Sequence, residues 1–163
     1  MSSDAKDVRT ILVRGAREMA RREGSRTIEA EHVLLAVAAT AGDPAARLLA
    51  DAGLTEDTIR AALDREWEDS LAVAGIAVRA GLLPQATPDH SRDPGIGESV
   101  RLLLERALNA EPKAGGTRIG SVRILAGILD AGRGRVARAL QAAGVDRAAL
   151  RARVAEALAR GVR

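Results

Sequence analysis

The sequence predicts an all-α fold made of two copies of a four-helix unit, about eight helices in all. Three observations carry that expectation. Apolar residues make up 47% of the 163-residue chain but aromatics only 1%, with one Trp and no Phe or Tyr. Such a core of Ala, Leu, Val and Ile suits close-packed helices, whereas sheets lean on aromatic and β-branched pairs. Apolar residues also recur at three- and four-residue spacing, and the chain resembles itself at an offset of 91 residues.

The first helix is read over Asp7–Arg22, where Val8, Ile11, Leu12, Ala16, Met19 and Ala20 form one apolar face. Gly24 is placed to end it. A short connection, Ser25–Glu29, leads to a second helix over Ala30–Thr40, whose run Val33–Ala39 is apolar all round. Asp43 and Pro44 read as N-cap and first helical residue of a third helix reaching Ala52 and closed by Gly53. Thr55 caps a fourth, continued by Ile59, Ala62, Leu63 and Glu66 to about Ser70.

Ala74–Gly97 differs in kind. It is rich in Pro and Gly, lacks helical period and reads as a linker, with room for a short helical turn at Leu71–Val78. Helical spacing resumes over Glu98–Asn109, which Gly115-Gly116 is expected to end. Ser121 is expected to cap a helix reaching Asp130, and Arg135–Ala143 and Arg147–Ala159, separated by Gly144, complete the set. The expected organisation is a first repeat over 1–73, a linker over 74–97 and a second repeat over 98–163, the two repeats packing as one domain.

The repeat aligns without a gap from Val8 to Leu63. The matches that matter are structural: Gly24/Gly115 and Gly53/Gly144 both coincide, and such glycines mark backbone that needs positive φ. Val33/Ile124, Val37/Ile128 and Leu63/Val154 keep apolar character. A tandem duplication accounts for this.

Composition narrows function. Cysteine is absent, so there is neither disulfide nor thiolate metal site, as suits a reducing compartment. MSSDAKDVRT lacks the apolar stretch of a signal peptide, and no apolar run approaches the ~18–20 residues that span a bilayer. A cytoplasmic protein without membrane attachment is expected. Net charge is only +3 despite a pI near 10.4, because the basic residues are nearly all arginine.

The order of motifs resembles a known family. Ala20-Arg21-Arg22-Glu23-Gly24, Ile28, Glu31-His32-Val33-Leu34-Leu35, and Ala45-Ala46-Arg47-Leu48-Leu49 with Gly53 follow the pattern of the Clp N-terminal (Clp N, or Clp R) repeat domain of the Clp/Hsp100 unfoldases. The likeness is to the ClpC type and runs from about Asp7 to Leu158. The departures are specific. The Phe-Thr that opens each family repeat is replaced by Ala5-Lys6 and Ile96-Gly97, and the second Glu-His by Val122-Arg123. No G-x-x-x-x-G-K-[ST] occurs, and the chain ends at Arg163 where an unfoldase would continue into its ATPase modules. The expectation is therefore a stand-alone N-domain without a motor and without cofactor.

The resemblance implies a non-catalytic module that binds proteins or peptides, namely Clp substrates, adaptors or Clp subunits. It would act as adaptor, competitor or decoy in Clp-dependent proteolysis, through an apolar groove between repeats with Glu31 at its rim. In ClpC-like domains the matching glutamate helps hold phosphorylated arginine, so the resemblance makes Glu31 and His32 the ligand-binding candidates, with phosphoarginine or cyclic-peptide natural products as ligands. The residues also admit a plainer account, in which Glu31 completes a helix cap and His32 makes a buried hydrogen bond. No carboxylate stands at metal-ligand spacing with His32 or His90, and His90 in Pro88-Asp89-His90-Ser91 reads as a solvated loop residue. No G-x-S-x-G or Ser–His–acid set is legible, so catalytic and metal sites are not expected. Trp67 with Leu71 reads as packing beside the linker. Arg133, Arg135, Arg138, Arg147, Arg151, Arg153, Arg160 and Arg163 crowd the last third. Aromatics for base stacking are lacking, which argues against single-strand binding. Duplex phosphate contact leaves a basic DNA-associated regulator as the rival reading.

Overall fold

The computed structural model describes Val8, residues 10–110 and residues 119–162. Within them the chain is helical, as expected. Helix α1 comprises a π-wound stretch, Thr10–Ala16, and an α-helical stretch, Arg17–Arg22. Strand β1 (Thr27–Ile28) precedes α2 (Ala30–Ala39), α3 (Pro44–Asp51) and α4 (Glu56–Val73). A 3-10 turn (Ala80–Leu82) and strand β2 (Gly95–Ile96) follow. The chain then forms α5 (Glu98–Asn109), α6 (Ser121–Leu129), α7 (Arg135–Ala142) and α8 (Arg147–Ala159). The expected helix end at Gly115-Gly116 lies outside the described residues.

The helices repeat at the offset read from the sequence: α3 and α7 begin and end 91 residues apart, and α2/α6 and α4/α8 begin 91 apart. The glycines that terminate α3 and α7 match in conformation too, Gly53 at φ 76° and Gly144 at φ 71°. Both stand in the left-handed region that glycine enters without steric cost.

The two central helices are buried on nearly every side. Every residue from His32 to Val37 is buried in α2, and all nine residues of α6 are. Helices α1 and α5 cover one side of this pair, and α3, α4, α7 and α8 enclose the rest, with α4 of the first half packed along α7 of the second. Among the described residues no single helix is long and apolar enough to cross a membrane.

Each outer helix crosses its central partner at a point with little room. In the first half Gly15 on α1 faces the Cβ of Ala36 on α2. At the corresponding crossing in the second half the glycine has changed helix. Gly127 of α6, which matches Ala36, lies against the Leu103 carbonyl and the Ala107 amide of α5. A Cβ there would meet backbone, 2.9 Å from Ala107 N and closer still to Leu103 O. The crossing is kept while the residue that permits it has moved.

Some sequence expectations need correction. The connection Ser25–Glu29 contains β1, which pairs in parallel with β2 in the register Thr27↔Gly95 and Ile28↔Ile96. Two residues are too few for periodicity to reveal. The stretch from Thr87 to Asp93 runs back along α1. Asp89 N–H donates to Arg21 O at 3.0 Å, Arg21 Nε donates to Arg92 O at 2.7 Å, and Arg17 pairs with Asp93 at 3.0 Å. Helix α4 extends past Ser70 to Val73, so the helical turn expected across Leu71–Val78 is partly its own end. Ser121 does not cap α6; Gly120 is the N-cap and Ser121 the first helical residue, its hydroxyl buried without a hydrogen-bond partner among the described residues. Ile119 is only partly buried and packs against the core.

The crossing at Gly127 yields a test in which two effects oppose. Alanine improves helix propensity by about 1 kcal/mol, yet its methyl group has backbone in its way, and overpacking costs about 1–3 kcal/mol. Gly127→Ala is expected to lower the urea midpoint; an unchanged or raised midpoint would refute the crossing geometry.

Candidate functional site

Glu31 and His32 occupy the first turn of α2 and meet different surroundings. The His32 side chain is 3% exposed and both ring nitrogens are engaged. Nδ1 accepts the Glu29 N–H at 2.8 Å, which puts the ring proton on Nε2, facing Glu23 Oε2 at 3.1 Å. His32 thus receives one amide at the start of α2, where backbone donors lack helical acceptors, and donates to the carboxylate that ends α1. Glu29, the N-cap residue, directs its own carboxylate to the Ser99 hydroxyl of α5. Ala30 N–H donates to that same hydroxyl at 2.8 Å. The start of α2 is thereby tied to α5, across the sequence boundary between the copies.

Glu31 is 13% exposed at its side chain and accepts from Arg135 Nη1 of α7 at 3.1 Å. Arg135 Nε lies 3.5 Å from Glu66 Oε2 of α4, an ion pair too long for a hydrogen bond. Glu66, 5% exposed, accepts from Arg138 Nε at 2.8 Å and Ser70 Oγ at 2.7 Å through its other oxygen. Beside this group Arg60 of α4 bridges Glu56 at 3.0 Å and Glu23 at 3.5 Å. Three carboxylates of the first half, Glu23, Glu31 and Glu66, are thus met by His32 and Arg60 of their own half and by Arg135 and Arg138 of the second.

The electrostatics follow from this placement. Burial alone would push the Glu23 carboxyl up, but the His32 hydrogen bond and the charges of Arg60 and Arg135 outweigh it and hold it below the ordinary value. Glu66 behaves alike: burial pushes it up, while hydrogen bonds from Ser70 and Arg138 and the charges of Arg138 and Arg135 bring it down. Both carboxylates are anionic at neutral pH. The arrangement offers no nucleophile with a base, and among the described residues no group of three or more His, Cys, Asp or Glu could hold a metal ion. What it can do chemically is hold a guanidinium against carboxylates, the strongest kind of neutral-pH hydrogen-bonded pair available to these side chains.

A groove between repeats with Glu31 at its rim was expected. A cleft of about 530 Å³ does lie between the halves, but it is formed by the turns Ala52–Leu54 and Ala143–Asp146 with the starts of α4 and α8, and Glu31 is not among its lining residues. The counterparts of the acidic pair differ as the sequence indicated. Val122 is fully buried, and Arg123, also buried, donates to Ala110 O at 3.2 Å. His90 is 63% exposed and 3.8 Å from Glu18.

The family described as the Clp repeat (R) N-terminal domain matches residues 7–140. The chain belongs to that family. The all-helical architecture described above fits a Clp repeat domain. No curated protein matches the sequence. A solved structure described as "Preliminary structural investigations of a malarial protein secretion system" shares 19% identity at a TM-score of 0.60, over 90% of this chain and 88% of that one. At that identity the likeness concerns the fold alone.

Sequence reading singled out Glu31 and His32 and missed the rest of the cluster. Glu66 had left a signal: it lies on the apolar stripe of Ile59, Ala62 and Leu63, where a carboxylate needs a partner. Arg135 had left another, as a cation in the first turn of a helix, where the dipole opposes it.

The depressed carboxyls set the acid sensitivity. Stability contributed by a carboxyl with a lowered folded pKa is present above its unfolded value, near 4.5, and is lost as pH falls through the folded value. The urea midpoint should therefore drop on acidification below about pH 4.5, and less steeply in Glu23→Gln than in wild type. Parallel pH profiles would show that Glu23 gains nothing from His32 and Arg60.

Proposed function

We propose that this Clp repeat domain is a non-catalytic protein- and peptide-binding module of the ClpC type, acting in the cytoplasm as adaptor, competitor or decoy in Clp-dependent proteolysis. Domains of this family bind proteins and adaptors, which supports protein partners. In this reading residues 1–73 and 98–163 are the two repeats, 74–97 joins them, and Glu31 contacts the ligand. His32 serves Glu31 indirectly, since its ring fixes the start of α2.

The observation that carries the ligand class is the pairing of Glu31 with a guanidinium, here that of Arg135 at 3.1 Å. A phosphoarginine on a substrate presents the same group with an added charge. Sequestering of cyclic-peptide natural products belongs to the same reading through the ClpC likeness.

The DNA-binding rival loses support from how the arginines are used. Arg147 donates to Leu129 O at 2.8 Å and Ala131 O at 2.7 Å, at and just past the C-terminal end of α6, where the helix dipole favours a cation. Arg151 grips Asp130 with two nitrogens, and Arg153 pairs with Asp51 at 2.7 Å. These cations are already spoken for within the chain.

Calorimetric titration of phosphoarginine against wild type and Glu31→Ala tests the site. Loss of a charge-assisted hydrogen bond costs about 1.5–3 kcal/mol, so the variant should bind at least about tenfold more weakly. Equal affinities would reject Glu31 as the contact, and salt-sensitive binding of a labelled DNA duplex would revive the rival.

A further inference from the structure

The two copies begin their third helices differently. Helix α3 has Asp43 as N-cap, whose Oδ1 accepts from Ala45 N at 2.8 Å and Ala46 N at 3.2 Å, and Pro44 follows at the first helical position. Ninety-one residues on, α7 has Gly134 at φ 112° as N-cap, with no side chain to accept those amides, and Arg135 in place of proline. Asp-Pro supplies cap bonds and a preset φ at a helix start; Gly-Arg supplies neither. The loop before it adds Gly132.

Arg135 is therefore held by neither its helix nor its cap. A cation in the first turn faces the positive end of the helix dipole. Its favourable contacts lie across the boundary between the copies, on Glu31 and Glu66. They are incomplete, because Arg135 Nε is buried with no hydrogen-bond partner among the described residues. Over a third of the side chain remains exposed, so the guanidinium can leave towards solvent without opening the core.

The two carboxylates would respond differently if it left. Glu66 keeps Arg138 and Ser70, both on the oxygen that Arg135 does not approach. Among the described residues the Glu31 carboxylate pairs with no other cation. Removing Arg135 thus leaves one partly exposed, unpaired carboxylate shaped around a guanidinium, beside a neighbour that stays neutralised.

We propose that Arg135 is a built-in competitor for the Glu31 site: its guanidinium occupies the place of a peptide arginine, which binds by displacing it from the uncapped start of α7. This rests on Glu31 being the ligand contact. It adds that the second repeat, having lost its own acidic site, regulates the site of the first. Ligand binding then loosens the contact between α7 and the first repeat at Arg135 while Arg138 retains its hold on Glu66.

N-acetylarginine amide, which carries no phosphate, is the probe. It is titrated against wild type, Arg135→Ala, Arg135→Gln and the Arg135→Ala/Glu31→Gln double variant, following the amide resonances of the first turn of α2. Arg135→Ala should bind about tenfold more tightly than wild type, Arg135→Gln should also gain, and the double variant should lose the gain. Should Arg135→Ala fail to fold by circular dichroism, Arg135→Gln, which keeps most of the side chain's bulk, carries the comparison. A folded Arg135 variant that binds no tighter than wild type overturns the proposal, as does absence of binding in both. Phosphoarginine binding that is lost in Glu31→Ala but unchanged in Arg135→Ala would remove the competitor and leave the contact itself standing.

Discussion

The all-round burial of α2 and α6 is the constraint from which the rest of the structure follows. A helix apolar on every face cannot lie at a surface, so six other helices must enclose the pair. Polar groups on such a helix are tolerated chiefly at its ends, where partners elsewhere in the protein can meet them. For α2 this explains why Glu29, Glu31 and His32 all engage residues of other helices: Ser99 of α5, Arg135 of α7 and Glu23 at the end of α1. The polar head of one buried helix thereby organises the meeting of both halves.

Duplication gave each copy the same packing problem and left each free to solve it with different residues. The small residue at the helix crossing is Gly15 on the outer helix in one copy and Gly127 on the central helix in the other. The third helix is capped by Asp43 in one and starts uncapped at Gly134 in the other. At the head of the central helix Glu31-His32 faces Val122-Arg123. Arg123 satisfies itself on a neighbouring carbonyl, so the second copy keeps a polar head without an acidic site. Complementary losses of this kind bind two copies to each other, because Glu31 and Glu66 remain in the first and the arginines that answer them, Arg135 and Arg138, come from the second.

What could be read in the sequence was what repeats along it. The helices, their glycine ends and the 91-residue offset are periodic or punctuated features, and the structure reproduces their bounds within a few residues. The short strand pair, the backward path of residues 87–93 along α1 and the pairing of Glu31 with Arg135 depend on encounters between segments roughly 70 to 100 residues apart, which no local period encodes. The cluster nonetheless left local traces where side chain and position disagree: an acid on an apolar stripe at Glu66, and a base at a helix start at Arg135. Each conflict marks a residue whose stability comes from elsewhere. The same logic explains the arginine-rich last third, much of which is matched to the chain's own acids and carbonyls.

The central claim is that Glu31 of the first copy and Arg135 of the second are energetically coupled. A double-mutant cycle on unfolding free energy, comparing Glu31→Ala, Arg135→Ala and the pair, measures that coupling with the surroundings cancelled. With Arg135 partly exposed, a favourable coupling of about 0.5–1.5 kcal/mol is expected. Additive effects, with coupling indistinguishable from zero, would contradict it and reduce the contact to two side chains that merely lie close.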